Sequence, residues 1–582
     1  MKFGGAGMFS LKQDALLLSL KPFDELRLVP EADDRQTWDA VDDTISALVH
    51  ARAKQARCLE TPQLRASDFK RFLESGDGPY LAGYHARREA LKALVMGACV
   101  TGEMGDIERI ADLVYRMSEE TDWALTACKP DLPDCAHTVL DEAACESGAL
   151  VALTLKLVGT ALDRLSPKVR SRAQWALDER IIEPLVGEGG HVWAFEDEHA
   201  PRAQAALLTV ALLSARDDRR RWLAMRHVLK MLEAYLQNPT AGVLPLENQL
   251  QAAMAVNDCF SMLSVASGGE VELRDEALFV DMARAFTQAH IERDYFVNPA
   301  GSMRPALPED LLYRLGESAR LSTLCKLAAL LRRVRCGREM MRGLNQPSEP
   351  LLQQVMSALG RADLVRETVR TQAASQVALP AFKLLAGRLD GLYAALYGPD
   401  SRPARACIGG TGALLLFYRD TPVVIDTLRA HSVPVVGGYG QTRGPGAQDD
   451  EATDGPGYRM LSMNVAAAYP KRAGVLTWQR TLMFAAFEGG IRLIEAFDLE
   501  APSEVSFRFI VLEKPCVAAG QAQLGPVQMR YDAALTARVE AIEAGGEWGQ
   551  MVYQLSLSTG DKVPGGNYAF LFTAPGGWGT AE

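Results

Sequence analysis

The stretch Ala378–Pro403, ALPAFKLLAGRLDGLYAALYGPDSRP, divides the chain into two parts with different hydrophobic patterns. Before it, segments such as Val139–Leu165 and Pro167–Val186 carry apolar residues at helical spacing, and Ser166-Pro167 supplies an N-cap and a first helical residue. After it, short runs such as Val505–Leu512 carry apolar residues at alternate positions, which is typical of strands with one buried face. We therefore interpret this stretch as a hinge between a helical half and a β-rich half.

A run of helices followed by a run of strands predicts two layered units in series, because interleaved βαβ units would alternate the two patterns. Short Gly/Pro or Asn/Pro turns between the helices indicate helical hairpins that close into a toroid. The polar segment Gly437–Gly457 predicts a mobile surface loop within the β-rich half. The predicted helices upstream of the hinge lie at 33–53, 66–73, 84–101, 104–119, 139–165, 167–186, 202–214, 220–236, 246–263, 274–292, 308–315, 318–334, 351–359 and 362–371.

The composition indicates a globular protein with a large core, since 48% of the 582 residues are hydrophobic and 23% are charged. The formal net charge of -11 argues against nucleic acid as a partner, and an acidic polymer would need a local basic pocket. No stretch is long and apolar enough for a membrane span, and the N-terminus lacks a signal-peptide pattern. We expect a cytoplasmic protein by default, with export left open. The sequence leaves the oligomeric state open.

The segment Met460–Leu499 carries Ala468-Tyr469-Pro470, Ala473-Gly474-Val475, Trp478 and Arg480 in an order that resembles bacterial heparinase II/III-like proteins of the polysaccharide lyase superfamily. Two further segments, Phe417–Asp426 and Ala430–Gln441, are similar to other elements of the family's β-domain. The helical half agrees, with YHARREAL at Tyr84–Leu91 and RIIEPL at Arg180–Leu185 in the family's order.

The resemblance implies an α+β multidomain chain, with an incomplete (α/α) toroid at residues 1–380 and an antiparallel β-sandwich at residues 381–582. It also implies an acidic or uronate-containing polysaccharide bound in a cleft between the two and cleaved by β-elimination. Such a site must neutralise a uronate carboxylate and supply a base and an acid for proton transfer.

The family's catalytic positions are only partly matched in this chain. The family's Asn-Asn-Trp element corresponds to His191-Val192-Trp193, and its tyrosine-bearing element corresponds to Leu246–Ala252, which keeps Glu247 and has Gln251 in the place of the tyrosine. Of the β-domain histidines, only His431 remains. The family's zinc trio of two histidines and an aspartate is therefore incomplete, and the ten cysteines show no CxxC pair, so we expect no metal and no cofactor.

The remaining candidates divide into catalytic and substrate-binding residues. His191 is a candidate for neutralising a carboxylate or accepting a proton, assisted by His431 or by Tyr439, which lies in the polar segment. Trp193 could stack on a sugar ring or simply pack, and Glu247 is either a site carboxylate or an exposed helix-start residue. The remaining substrate-binding candidates are Gln251 and Arg443, whose guanidinium could clamp a carboxylate.

Three functions are compatible with these residues. The first is the polysaccharide lyase, in which His191 and His431 converge on one cavity. The second is a catalytically eroded carbohydrate-binding or accessory protein, which the substitution at Gln251 favours. The third is a glycoside hydrolase with paired carboxylates, such as Glu247 with Asp197 or Asp258.

Overall fold

The structure is a computed structural model, and it describes residues 8–125, 132, 139–187, 191–192, 200–237, 244–298, 302–335, 349–366, 376–379, 384–398, 410–427, 430–442, 448–455, 458–544, 548–549 and 551–575. The chain forms two compact units. The helical unit contains Met1–Pro239, Leu250–Arg284 and Ala306–Thr371, and the β-rich unit contains Thr240–Gln249, Ala285–Pro305 and Gln372–Glu582. Within the first 380 residues, Thr240–Gln249, Ala285–Pro305 and the part from Gln372 onward therefore belong to the β-rich unit.

Helices account for almost all regular structure before residue 370. A two-stranded parallel pair, β1 (Val139–Leu140) with β2 (His191–Val192), is the exception within the described part of the helical unit. The helices are α1 (Met8–Ser19), α2 (Arg35–Trp38), α3 (Asp43–Cys58), α4 (Ala66–Ser75), α5 (Pro79–Thr101), α6 (Ile107–Glu119), α7 (Glu142–Leu157), α8 (Gly159–Leu165), α9 (Pro167–Leu177), α10 (Glu183–Val186), α11 (Ala200–Ser214), α12 (Asp218–Gln237), α13 (Leu246–Ala266), α14 (Ala277–Ala289), α15 (Glu309–Ser318), α16 (Ser322–Arg335) and α17 (Leu351–Arg366).

The segment predicted as one helix over 139–165 is divided by local chemistry. The Asp141 side chain caps α7 by accepting a hydrogen bond from the Ala144 backbone N–H at 2.8 Å, so the helix begins only at Glu142. It ends at Leu157, and α8 leaves at an angle of 77°. Among the described residues, no single helix is long and apolar enough to cross a membrane, although α7 and α8 together meet the length and composition criteria as a bent pair.

The segment 167–186 was also predicted as one helix, and here the prediction is confirmed apart from one irregular turn. The Ser166 hydroxyl accepts a hydrogen bond from the Lys168 backbone N–H at 3.3 Å, and Pro167 opens α9, as the sequence indicated. A π-helical turn at Asp178–Ile182 joins α9 to α10. Within the helical unit, α5 packs against α3, α4 and α7, and α7 packs against α11.

The β-rich unit contains a small antiparallel pair, β3 (His290–Glu292) with β4 (Tyr295–Phe296), and two large antiparallel sheets. One sheet has the order β19-β20-β15-β9-β8-β7-β6-β5, with β10 paired to β15, and the other has the order β11-β12-β13-β14-β21-β18-β17-β16. The strands are β5 (Gln376–Leu379), β6 (Leu384–Leu389), β7 (Leu392–Tyr397), β8 (Leu414–Tyr418), β9 (Thr421–Val424), β10 (Val435–Val436), β11 (Gln448–Gly455), β12 (Tyr458–Asn464), β13 (Val475–Ala485), β14 (Gly490–Ser503), β15 (Val505–Val511), β16 (Cys516–Ala518), β17 (Gln521–Leu524), β18 (Val527–Arg530), β19 (Thr536–Glu543), β20 (Met551–Ser558) and β21 (Val563–Thr573).

Both large sheets contribute to one hydrophobic core, which is the arrangement of a β-sandwich. Leu396 and Leu416 come from one sheet and Leu482 and Leu493 from the other, and all four belong to the same buried cluster. The predicted alternation in Val505–Leu512 is confirmed, because Val505, Phe507, Phe509 and Val511 are buried in β15.

Two segments of the β-rich unit also differ from their predictions. The predicted hinge Ala378–Pro403 contains the end of β5 and all of β6 and β7, and β7 is buried along its whole length, so its continuous apolar run gave no alternation to recognise. The predicted mobile loop Gly437–Gly457 contains β11, which pairs with β12 along the sheet. A highly charged strand is tolerated there because β11 lies at an edge.

Candidate functional site

A cavity of about 620 Å³ lies within the helical unit, and α5, α7, α11, α13 and the start of α17 line it. The charged residues of α5 reach it because His85, Arg88, Glu89 and Lys92 recur at the spacing that places side chains on one face of a helix. The other charged residues of the described lining are Glu142, Glu146, Arg202 and Asp258, and its polar residues are Tyr84, Ser147, Thr209 and Gln353.

Arg88 is held in the cavity wall by a carboxylate and a hydroxyl. Its Nη2 lies 2.7 Å from Glu120, and its Nε donates to the Ser147 hydroxyl at 2.8 Å. The neighbouring Arg87 pairs with the same Glu120 carboxylate, so both arginines serve a buried ion-pair network. The Tyr84 hydroxyl donates to the Trp123 carbonyl at 2.8 Å, and burial raises the pKa of Tyr84 well above its usual range. Tyr84 is therefore not suited to act as a base.

The other two lining cations also sit next to carboxylates. Lys92 pairs with Glu89, and Arg202 pairs with Glu146 and lies 3.3 Å from Glu142. Arg202 also donates to the Gln251 side-chain oxygen at 3.4 Å, which places Gln251 beside this cluster.

Glu349 adds a buried carboxyl group near these charges. Burial raises its pKa to about 7, and Arg202 and Lys92 only partly oppose that shift. The Lys92 ammonium donates to the Glu349 backbone carbonyl at 3.2 Å. Near neutral pH this carboxyl is thus protonated in a large fraction of molecules.

Among the residues that the structure describes, His85 is the one histidine that lines this cavity, and the sequence did not single it out as a candidate. Its imidazole stands edge-on to the Tyr84 ring, with the ring centroids 5.5 Å apart. Partial burial lowers the pKa of His85, and repulsion from Arg88 and Lys92 lowers it further, so the imidazole is neutral and able to accept a proton near neutral pH. The signal in the sequence was its spacing from Arg88 and Lys92.

In the β-rich unit, His431 forms a close pair with a carboxylate. Its Nδ1 lies 2.8 Å from Oδ1 of Asp426, which comes just after β9, and the two side chains are 9% and 3% exposed. This contact favours the tautomer with the proton on Nδ1, which makes Nε2 the basic nitrogen of the neutral ring.

The residues that carry the family resemblance form a buried polar network beside His431. Arg480 is 1% exposed, its Nε lies 2.8 Å from Oε1 of Glu495, and its Nη1 donates to the carbonyls of Gly412 and Ser432 at 2.6 and 2.9 Å. The Trp478 indole donates to the second oxygen of Glu495 at 2.8 Å. Since Ser432 follows His431 directly, Arg480 helps to fix the backbone that carries this histidine.

Three further residues shape the same region. The Gln441 side chain accepts from the Gly410 backbone N–H at 2.9 Å and donates to the Thr411 carbonyl at 2.8 Å. Gly412 has a positive φ of 74°, and a Cβ there would lie 2.9 Å from Val465, so no other residue fits without displacement. The Tyr469 hydroxyl donates to the Pro434 carbonyl at 2.8 Å.

The other candidates from the sequence are placed as follows. Glu247 lies in the first turn of α13 and accepts from the Asn298 side chain at 3.2 Å. Tyr439 is 38% exposed, with the Arg472 guanidinium 4.7 Å from its ring centroid. His191 lies in β2 opposite Val139, but its side chain is outside the described part of the structure.

Trp193 and Arg443 lie outside the described residues, so their roles stay predictions, as do those of the other candidates. Within the described ranges, no group of three or more His, Cys, Asp or Glu residues is arranged to hold a metal ion.

No protein-family model matches the sequence, and no curated protein matches it. Solved structures do match. The chondroitin AC lyase of Streptomyces coelicolor A3, in complex with chondroitin sulphate, is 13% identical with a TM-score of 0.54, and the match covers 98% of this chain and 83% of that one. The heparan sulfate lyase HepC of Pedobacter heparinus, as a mutant, is 11% identical with a TM-score of 0.53, covering 95% and 92%. A heparinase III structure is 10% identical with a TM-score of 0.52, covering 93% and 94%. Over nearly its whole length, the chain therefore has a heparinase-like polysaccharide lyase fold.

Proposed function

We propose that this protein binds a uronate-containing polysaccharide and cleaves it by β-elimination. The observation that carries the proposal is the likeness in fold, over 93–98% of the chain, to structures of lyases that act on chondroitin and heparan sulfate. In the same proposal, the helices of the helical unit form an incomplete (α/α) toroid, which the short turns in the sequence support.

The cavity in the helical unit supplies groups suited to this chemistry. A neutral imidazole at His85 is able to take the proton beside the uronate carboxylate. Arg202, whose side chain is 14% exposed, is the lining cation best placed to contact that carboxylate. In the β-rich unit, the pair of His431 with Asp426 offers a second proton carrier, and His191 and Tyr439 remain alternatives proposed from the sequence.

A second candidate function is a glycan-binding protein that has lost the reaction. Gln251 favours it, because the side-chain amide at the place of the family's tyrosine accepts a hydrogen bond from Arg202 and cannot act as an acid or a base near neutral pH. The hydrolase has less support. Asp258 is engaged by Arg314 at 2.9 Å, and Asp197 lies outside the described residues.

The test is the ultraviolet absorbance of the unsaturated uronate product, measured with purified protein on a panel of uronate polysaccharides. We expect absorbance to rise with at least one substrate, and His85→Asn or His431→Asn to lower kcat by about a hundredfold or more. His227→Asn is the matched control, because His227 is an exposed histidine on α12 that does not line the cavity. Binding without any absorbance change would replace the lyase with the glycan-binding protein, and neither binding nor turnover would refute both.

A further inference from the structure

We infer that the cavity in the helical unit selects unsulfated uronate polysaccharides over sulfated ones. The inference rests on the proposed function and deepens it by naming the class of substrate. A sulfated polymer requires cations that are free to contact its sulfate groups, and the charges around the cavity do not meet this requirement.

Among the described residues that line the cavity, cations do not outnumber carboxylates. Three lining side chains are cationic, Arg88, Lys92 and Arg202. Four are acidic, Glu89, Glu142, Glu146 and Asp258, so the formal charge of the described lining is −1 with His85 neutral. Because the pKa of His85 is lowered, the imidazole does not restore the balance near neutral pH.

Each of these cations already has a carboxylate partner. Arg88 lies 2.7 Å from Glu120, Lys92 pairs with Glu89, and Arg202 pairs with Glu146. Arg88 and Lys92 are also only 6% and 8% exposed, so their charges are buried within those pairs. A sulfate group would have to share or break such a pair, and it would then face the displaced carboxylate at short range.

An unsulfated uronate polymer needs fewer cationic contacts than a sulfated one. Its repeating unit carries one carboxylate, which a single partly exposed cation such as Arg202 can contact. The rest of each unit presents hydroxyl groups and apolar ring faces, and Leu150, Leu153 and Leu351 supply apolar wall for those faces. The net charge of -11 adds no long-range attraction for a heavily sulfated chain.

The experiment compares two pairs of size-matched oligosaccharides. Unsulfated and sulfated chondroitin differ only in sulfation, and N-acetylheparosan against heparan sulfate is the second pair. Binding is measured by calorimetry on the full chain, and turnover by product absorbance. We expect the unsulfated member of each pair to bind about tenfold more tightly or better. A sulfated member that binds as tightly or more tightly would overturn the inference and leave the proposed function standing. Neither binding nor turnover of any member would refute both.

Variants link the preference to the paired carboxylates. Glu146→Gln removes a partner of Arg202, and Glu89→Gln removes the partner of Lys92. Each should shrink the ratio of the two dissociation constants by about threefold or more, and two different positions guard against one variant failing to fold. The matched control is Glu276→Gln, since Glu276 pairs with Lys12 away from the cavity lining. If the control changes the ratio of dissociation constants as much as the cavity variants do, the charges of the cavity do not set the preference.

Discussion

Replacing Arg480 with methionine tests the buried network beneath His431. Methionine keeps most of the aliphatic stem but removes the guanidinium, and with it the ion pair to Glu495 and the bonds to two backbone carbonyls. Glu495 is 0% exposed and would keep only its bond from Trp478 among the contacts described above. Breaking a buried pair from one side costs about 3–5 kcal/mol, so we expect Arg480→Met to lose roughly 4 kcal/mol of unfolding free energy.

The loss should depend on pH in a defined direction. Burial raises the pKa of Glu495 and Arg480 opposes that shift, so removing Arg480 raises the pKa further. The folded variant then holds a proton that the unfolded chain releases above about pH 4.5, and its stability falls as the pH rises. The difference between the native protein and the variant should therefore be larger at about pH 8 than at about pH 5.

The assay is urea denaturation followed by tryptophan fluorescence, with a separate transition allowed for each compact unit. Arg480→Met combined with Glu495→Gln should recover part of the lost stability, because the amide needs no counter-charge and still accepts from Trp478. A loss below about 1 kcal/mol, or an equal loss at both pH values, would refute this account of the network.

Two further predictions concern single residues of the helical unit. Because the folded-state pKa of Glu349, about 7, lies above the ordinary value of 4.5, stability should fall as the pH rises between these values. Glu349→Gln should remove that pH dependence of stability and stabilise the protein by about 3 kcal/mol at pH 8. The prediction is wrong if the native protein and the variant have equal denaturation midpoints at pH 5 and at pH 8. Asp141→Ala should cost about 1–2 kcal/mol, because it removes the cap of α7 and the acceptor for the Leu125 backbone N–H. The control in thermal unfolding is Asp163→Ala, which removes only a partly exposed ion pair with Arg170, and the prediction fails if both variants melt alike.

The sequence predicted the elements whose signals are local. Ser166-Pro167 marked the start of α9, and the alternation after Val505 marked β15, because capping and burial of one strand face act over a few residues. The sequence did not predict β7, because a strand that is buried on both faces shows no alternation of apolar and polar residues. It did not predict β11 either, because the position of a strand at the edge of a sheet depends on residues far away in the chain.

The candidate site was harder to predict for a related reason. The residues that carried the family resemblance, among them Trp478 and Arg480, are buried supports of the β-rich unit and do not report on catalysis. Burial lowers the pKa of His85, and Arg88 and Lys92 on the same helical face lower it further. Such an environment depends on packing, which spacing along the chain does not specify.

The acidic edge strand β11 has a consequence for self-association. Four of the eight residues of β11 are acidic, namely Asp449, Asp450, Glu451 and Asp454. The strand lies at one end of the strand order of its sheet, next to β12. An acidic sequence at the edge of a sheet is typical of the charged edge strands by which natural sheets discourage pairing with a second copy. We therefore expect this chain to resist sheet-to-sheet association through β11.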